Sequence, residues 1–280
     1  MIEMASMIAD MAGKFYTIVN ETLFPTKCLV CGCFFQPPSG KGSGLAGESG
    51  SMVSVQAAAE SLLSAHLCPN CIRGLAAVES PLCSCCGLPF ESRYGMDHRC
   101  GECGESPKKF RIARAPMIYG KIFTEVIHCY KYKGKIQLAR PLAELLLAAF
   151  KFFWNQDSID VIIPVPLHRK RFRKRGFNQA YLLLQKWQTM AGFDSSACQV
   201  ERDVLIRVVP TAPQTGLGRK ERAANIKNAF DLVDETKIID KRILLIDDVY
   251  TTGATVNECA RLLLARGARY VDVLSLARAV

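Results

Sequence analysis

No basic leader followed by an apolar run opens this 280-residue chain, and Glu3 and Asp10 interrupt its first apolar residues. This N-terminus is therefore expected to be neither a secretory leader nor a membrane span. The most apolar patch, residues 142–153, is broken by Glu144 and Lys151 and is too short to cross a bilayer. The expectation is a cytoplasmic protein without a membrane span. With no export signal, thirteen cysteines argue against a disulfide framework. The strand–turn–helix at 242–256 has neither a lysine-bearing Walker loop nor a GxGxxG turn, so ATPase and dinucleotide readings lose support there.

What is present is a globular composition, 49% hydrophobic and 22% charged, long enough for one good core plus a smaller module. The formal charge is +10. Basic balance of this size suits phosphate-bearing ligands and permits nucleic acid without choosing between them.

Most of the cysteines fall in four C-x-x-C units: Cys28/Cys31, Cys68/Cys71, Cys83/Cys86 and Cys100/Cys103. Each unit can put two sulfurs on one metal, and two units complete a tetrahedral zinc site. Taken in order, the first two pairs make one site and the last two another. Eight thiolates on two zinc ions would lower the net charge to about +6. All-thiolate sites leave no open position, so these zinc ions are expected to be structural. Cys33 and Cys85 are further thiols, either of which could replace a neighbour. The division expected is an N-terminal amphipathic helix at 1–24, a double zinc ribbon at 25–109 with a Gly/Ser-rich insert at 36–67, and an α/β domain at 110–280. Within the insert, residues 55–65 read as a short helix.

In the α/β part, RIARAPMIYG reads as a strand into a turn, residues 121–135 and 137–153 as helices, and IDVIIPV, RILLI and YVDVLSL as buried strands. The alternation predicts a parallel sheet with helices on its faces. Its centre is RILLIDDVYTTGATV at 242–256. A buried strand ends in Asp247 and Asp248, a small-residue turn follows at 251–255, and a helix begins. Such a turn presents backbone N–H groups to an anion, and the acids suit hydroxyls or a metal-bound water. Adjacent acids on a strand tend to point to opposite sides, so they are not expected to share a proton. A sugar phosphate fits that combination. The bland alternative is a helix merely capped by its Asp and Thr residues. After the strand IDVIIPV, six basic residues crowd into HRKRFRKRG; they read as a solvated run, a nucleic-acid patch, or a ligand loop at the carboxyl edge of the sheet. Residues 207–228, with two prolines and two glycines, read as a long loop into a basic helical start: a mobile lid or a plain connection.

The segment IDDVYTTGAT resembles the signature of type I phosphoribosyltransferases, which bind phosphoribosyl pyrophosphate (PRPP) with magnesium. The resemblance implies that Asp247 and Asp248 hold the ribose hydroxyls, and that Val249, Thr251, Thr252, Gly253, Ala254 and Thr255 wrap the 5′-phosphate. The order of parts is more specific: four C-x-x-C units, KYKG, PVPLHRKRFRKRGFNQ, TAPQTGLGRKERAANIKNAF and LLIDDVYTTGAT. That order resembles the ComF family, which includes competence proteins associated with uptake of transforming DNA and GntX-type proteins. It implies a double zinc ribbon fused to a phosphoribosyltransferase-like domain. In that picture Pro166, His168, Arg169, Lys170 and Arg171 receive the pyrophosphate, while Gln214, Arg219 and Arg222 arrive on the lid. The acceptor stays unspecified. The alternative is a PRPP-regulated protein without turnover that handles single-stranded DNA or docks a partner ATPase.

Overall fold

A computed structural model describes residues 25–38, 54–92, 94–154, 158–187, 189–190, 193, 198–209 and 219–280. The helix expected at 1–24, residues 39–53 of the Gly/Ser-rich insert and Gln214 lie outside the described residues, as do the side chains of Arg219 and Arg222.

The cysteine-rich part is built from turns and short helices. Strands β1 (Thr26–Lys27) and β2 (Phe34–Phe35) form an antiparallel ribbon around Cys28 and Cys31. Helix α1 (Val55–Leu63), capped by the Ser54 hydroxyl accepting from the Ala57 N–H at 3.2 Å, falls where the sequence places one. It leads to α2 (Pro69–Arg73), whose N-cap is Cys68 and whose Pro69 occupies the first turn, where a missing N–H costs nothing. Helix α3 (Gly101–Glu105) repeats the device with Cys100 as N-cap. Two of the C-x-x-C units, Cys68/Cys71 and Cys100/Cys103, thus begin at the N-cap of a short helix.

The remainder is a parallel sheet. Strands β3 (Ala113–Arg114) and β4 (Met117–Ile118) both pair with the last strand, and they are followed by helices α4 (Lys121–Tyr132) and α5 (Ala139–Phe153). Next come β5 (Val161–Pro164), α6 (Arg169–Arg175), α7 (Gln179–Trp187) and β6 (Gln199–Val200). Strands β7 (Leu205–Arg207) and β8 (Phe230–Leu232) flank α8 (Arg219–Ile226) and pair antiparallel apart from the main sheet. The chain closes with β9 (Arg242–Tyr250), α9 (Ala254–Ala265) and β10 (Tyr270–Arg278). The sheet runs β3–β10–β9–β5–β6, with every pairing parallel and β4 also on β10. No helix among the described residues is long and apolar enough to cross a membrane.

The uninterrupted apolar run of β9 follows from burial on both faces. Leu244 and Ile246 pack with α4, α5 and α7, while Ile243 and Leu245 pack with Val256, Cys259, Ala260 and Leu263 of α9. The cysteine pairs divide the same way. Cys28, Cys68 and Cys71 join the first face and Cys83, Cys86, Cys100 and Cys103 the second. Two expectations need correction. The basic run at 169–175 is a helix, not a loop: the His168 ring accepts from the Lys170 N–H at 3.2 Å, and Gly176 ends the helix at φ 85°. Arg207, expected in a loop, is a buried strand residue, because β8 returns alongside β7.

Candidate functional site

Strand β5 stops pairing with β9 at Pro164↔Ile246, whereas β10 stays paired with β9 as far as Tyr250. Past Ile246 one flank of β9 is therefore open, and a cleft of about 850 Å³ occupies that opening. This is where open α/β sheets leave a crevice, outside the carboxyl ends of their strands. The adjacent carboxylates Asp247 and Asp248 both border it, Asp248 meeting Lys131 and Gln179 on the α4/α7 face and Asp247 lying near Arg207 and Cys259 on the α9 face, as strand alternation predicts. Asp247 Oδ1 folds back to accept the Asp248 N–H at 2.8 Å.

The two acids have different surroundings. Asp248 is buried; its Oδ1 lies 2.7 Å from Lys131 Nζ on α4, and its Oδ2 accepts from Gln179 Nε2 at 2.6 Å. Burial pushes the Asp247 carboxyl up to about 7, and the negative charge of Asp248 adds to the effect. Gln179 is itself fixed: Asn178 caps α7 by accepting from the Ala180 N–H at 3.0 Å and donates to the Val165 carbonyl at 3.1 Å. The Tyr130 hydroxyl donates to the Gln179 carbonyl at 2.9 Å, tying α4 to α7 beneath the acids.

Across from the acids the cleft wall is cationic. Arg171, Lys174 and Arg175 come from one side of α6, spaced as neighbours on a helix face. Arg207 reaches in from β7, its guanidinium 5.6 Å from the Phe230 ring. Burial, and then the like charge of Arg171, lowers the Arg207 pKa to about 10. With Lys131, five cations surround two carboxylates. Positive charge gathered in a partly desolvated cleft favours an anionic ligand.

The third wall is the turn. Gly253 is the N-cap of α9 at φ 73°, a conformation available at little cost only to glycine. Gly253 has no side chain to cap the helix start; the Thr252 hydroxyl accepts from the Ala254 N–H at 3.4 Å, and the turn directs its backbone N–H groups toward the cleft end of the helix. A Cβ at Gly253 would overlap the Tyr250 hydroxyl. Tyr250 is buried and held beneath the turn by the Arg278 guanidinium, 4.4 Å from its ring, and by the edge of Phe110.

Of the residues singled out from sequence, Asp247, Asp248, Val249, Thr251, Thr252, Gly253, Ala254, Thr255, Pro166 and Arg171 border this one cleft. His168, Arg169 and Lys170 are not among its lining residues; His168 caps α6, and the other two are exposed. Lys174 and Arg175, two of the six residues of the basic run, line it too, whereas Lys131, Gln179 and Arg207 line it and were not assigned to the site. Lys131 and Gln179 lay in the quoted segments KYKG and RGFNQ. Nothing in LIR marks Arg207 as buried.

The eight cysteines gather as two sets, Cys28/Cys31/Cys68/Cys71 and Cys83/Cys86/Cys100/Cys103, with all sulfurs of a set within 4.8 Å of one another. The Cys31–Cys68 and Cys86–Cys100 sulfurs are 3.7 and 3.8 Å apart. A tetrahedron with Zn–S arms of about 2.3 Å has edges of about 3.8 Å, so each set fits a zinc ion. Cys33 and Cys85 are in neither set, although the Cys33 sulfur lies 3.2 Å from that of Cys31.

No protein-family model matches the chain. It is 34% identical over 215 residues to the DNA utilization protein YhgH of Escherichia coli O157:H7, covering 76% of this chain and 90% of that protein. It is 33% identical over 220 residues to competence protein F of Haemophilus influenzae, with the same two coverages. Among solved structures, the allosteric regulatory enzyme of purine biosynthesis aligns with 52% of this chain and 29% of its own at a TM-score of 0.31 and 16% identity. That likeness is too slight to carry weight.

Proposed function

Since this chain belongs to the ComF family of competence and DNA-utilization proteins, we propose that its cleft binds PRPP and that the protein is a phosphoribosyltransferase. One observation carries the reading: two carboxylates, a glycine-capped helix start and five cations converge on a single cleft at the end of β9. On this reading the turn at 251–255 takes the 5′-phosphate, Asp247 and Asp248 take ribose hydroxyls, and Arg171, Lys174 and Arg175 take the pyrophosphate. Residues 25–109 form the zinc-bearing module and 110–280 the catalytic one, and each cysteine set holds a structural zinc.

Breaking the C1–O bond of PRPP develops positive charge on the sugar and negative charge on the departing pyrophosphate, as in glycosyl transfer generally. The protein's task is therefore an anion clamp. The α6 cations stand ready before the bond breaks and need no reorganisation, which is where such groups contribute most. Lys131 holds Asp248 in place, so the acid meets the sugar in a fixed orientation. Magnesium bound with PRPP would supply further neutralisation of the pyrophosphate. Arg219 and Arg222, on α8, complete the clamp from the lid together with Gln214.

A second reading has its own support. Arg169, Lys170, Phe172 and Arg173 are exposed on the part of α6 that does not line the cleft. Alternating cations and an aromatic suit single-stranded DNA, with PRPP then a regulator rather than a substrate.

The test is calorimetric titration with PRPP, with and without magnesium, on the wild type and Asp248→Ala. Heat in the wild type and its loss in the variant supports the cleft assignment; no heat in either condition removes both readings. Pyrophosphate release once an acceptor is supplied separates enzyme from regulator. Salt-sensitive DNA binding abolished by Arg169→Ala/Arg173→Ala, with PRPP binding intact, supports the second reading.

A further inference from the structure

We propose that Arg278 makes the second cysteine set a positioning element of the phosphate turn, so that metal in that set, and not in the first, governs how firmly the turn is held. The last residue of β10 is buried, and its guanidinium joins two parts of the chain far apart in sequence. Its Nε donates to the Cys86 carbonyl at 3.1 Å, and its Nη2 lies 3.8 Å from the Cys86 sulfur. On the other side, Nη1 donates to the Thr251 carbonyl at 3.0 Å, and the plane lies over Tyr250, the residue on which Gly253 rests.

Position and chemistry both suit this bridging role. Arg278 is in register with Tyr250 across the β9–β10 pair, so the sheet delivers the guanidinium to the root of the turn. The planar fork reaches Cys86 and Thr251 simultaneously, which a lysine ammonium cannot reproduce. The Cys86 knuckle is itself fastened to the sheet, since the Ala113 N–H donates to the Cys85 carbonyl at 2.7 Å. An N–H aimed at a metal-bound thiolate is the kind of outer contact that orients a ligand. No comparable side chain links the first set to the turn among the described residues, and that set packs on the opposite face of the sheet.

The ligand arm of the test rests on the PRPP reading; the other arm does not. Zinc content, amide hydrogen exchange at residues 250–255 and PRPP affinity are measured on the full chain for the wild type, Arg278→Met, Cys100→Ser and Cys31→Ser. Arg278→Met is expected to keep both zinc ions, exchange about tenfold faster at the turn and bind PRPP about tenfold more weakly. Cys100→Ser should loosen the turn to a similar degree, and Cys31→Ser should leave it unchanged. Should Arg278→Met fail to fold, Arg278→Lys carries the same readout, because it keeps the charge and stem but loses the fork. Unchanged exchange at 250–255 in a folded Arg278 variant, or equal loosening by Cys31→Ser and Cys100→Ser, overturns the proposal. A wild type that binds no PRPP removes the cleft assignment, while the exchange data still decide the role of Arg278.

Discussion

Replacing Gly253 by alanine tests the architecture of the turn without assuming a ligand. At φ 73° an L-residue is in the left-handed region, which costs about 1–2 kcal/mol. The added methyl also overlaps the Tyr250 ring and hydroxyl. Tyr250 cannot swing aside cheaply, because Arg278 and Phe110 hold its ring and it is buried. Overpacking of this kind adds about 1–3 kcal/mol, so Gly253→Ala should lose about 2–5 kcal/mol in all. Gly267 is the internal control. Its φ is 97°, yet its nearest neighbour to a new Cβ is an Ile239 side-chain carbon at 3.6 Å, so Gly267→Ala should lose only about 1–2 kcal/mol. Denaturant unfolding of the two variants beside the wild type measures both losses. If Gly253→Ala costs no more than Gly267→Ala, the steric argument for the turn is wrong.

Three further outcomes are expected. Lys131→Met leaves the buried Asp248 carboxylate with Gln179 as its one side-chain partner among the described residues and should destabilise by about 3 kcal/mol; adding Asp248→Asn should recover much of that loss, as a double-mutant cycle would show. Asp247 has its pKa raised in the folded protein, so its contribution to stability is greatest at acid pH and is lost as pH rises from about 4 to about 7. Asp247→Asn should accordingly exceed the wild type in stability at pH 8, with the gap closing toward pH 4; a pH-independent gap contradicts the assigned burial. Protein purified without chelator should hold about two zinc ions per chain by elemental analysis, and a strong chelator should lower its unfolding midpoint.

The amino-acid sequence by itself determined the local chemistry. Four short cysteine spacings named the two cysteine sets, because a C-x-x-C turn is a local object. A continuous apolar run named β9, since a strand buried on both faces needs no polar side. The acidic pair and the glycine before α9 were legible because a strand end, a left-handed residue and a helix start occupy adjacent positions. Tertiary structure alone decided what approaches them. Lys131 meets Asp248 because α4 packs over the sheet, and Arg207 enters the cleft because β7 pairs with β8; neither contact leaves a spacing to read. The basic run at 169–175 illustrates the difference. Its charge was plain, but which cations turn toward the acids was set by the helix that His168 caps, whose period brings Arg171, Lys174 and Arg175 inward and leaves Arg169 and Lys170 in solvent.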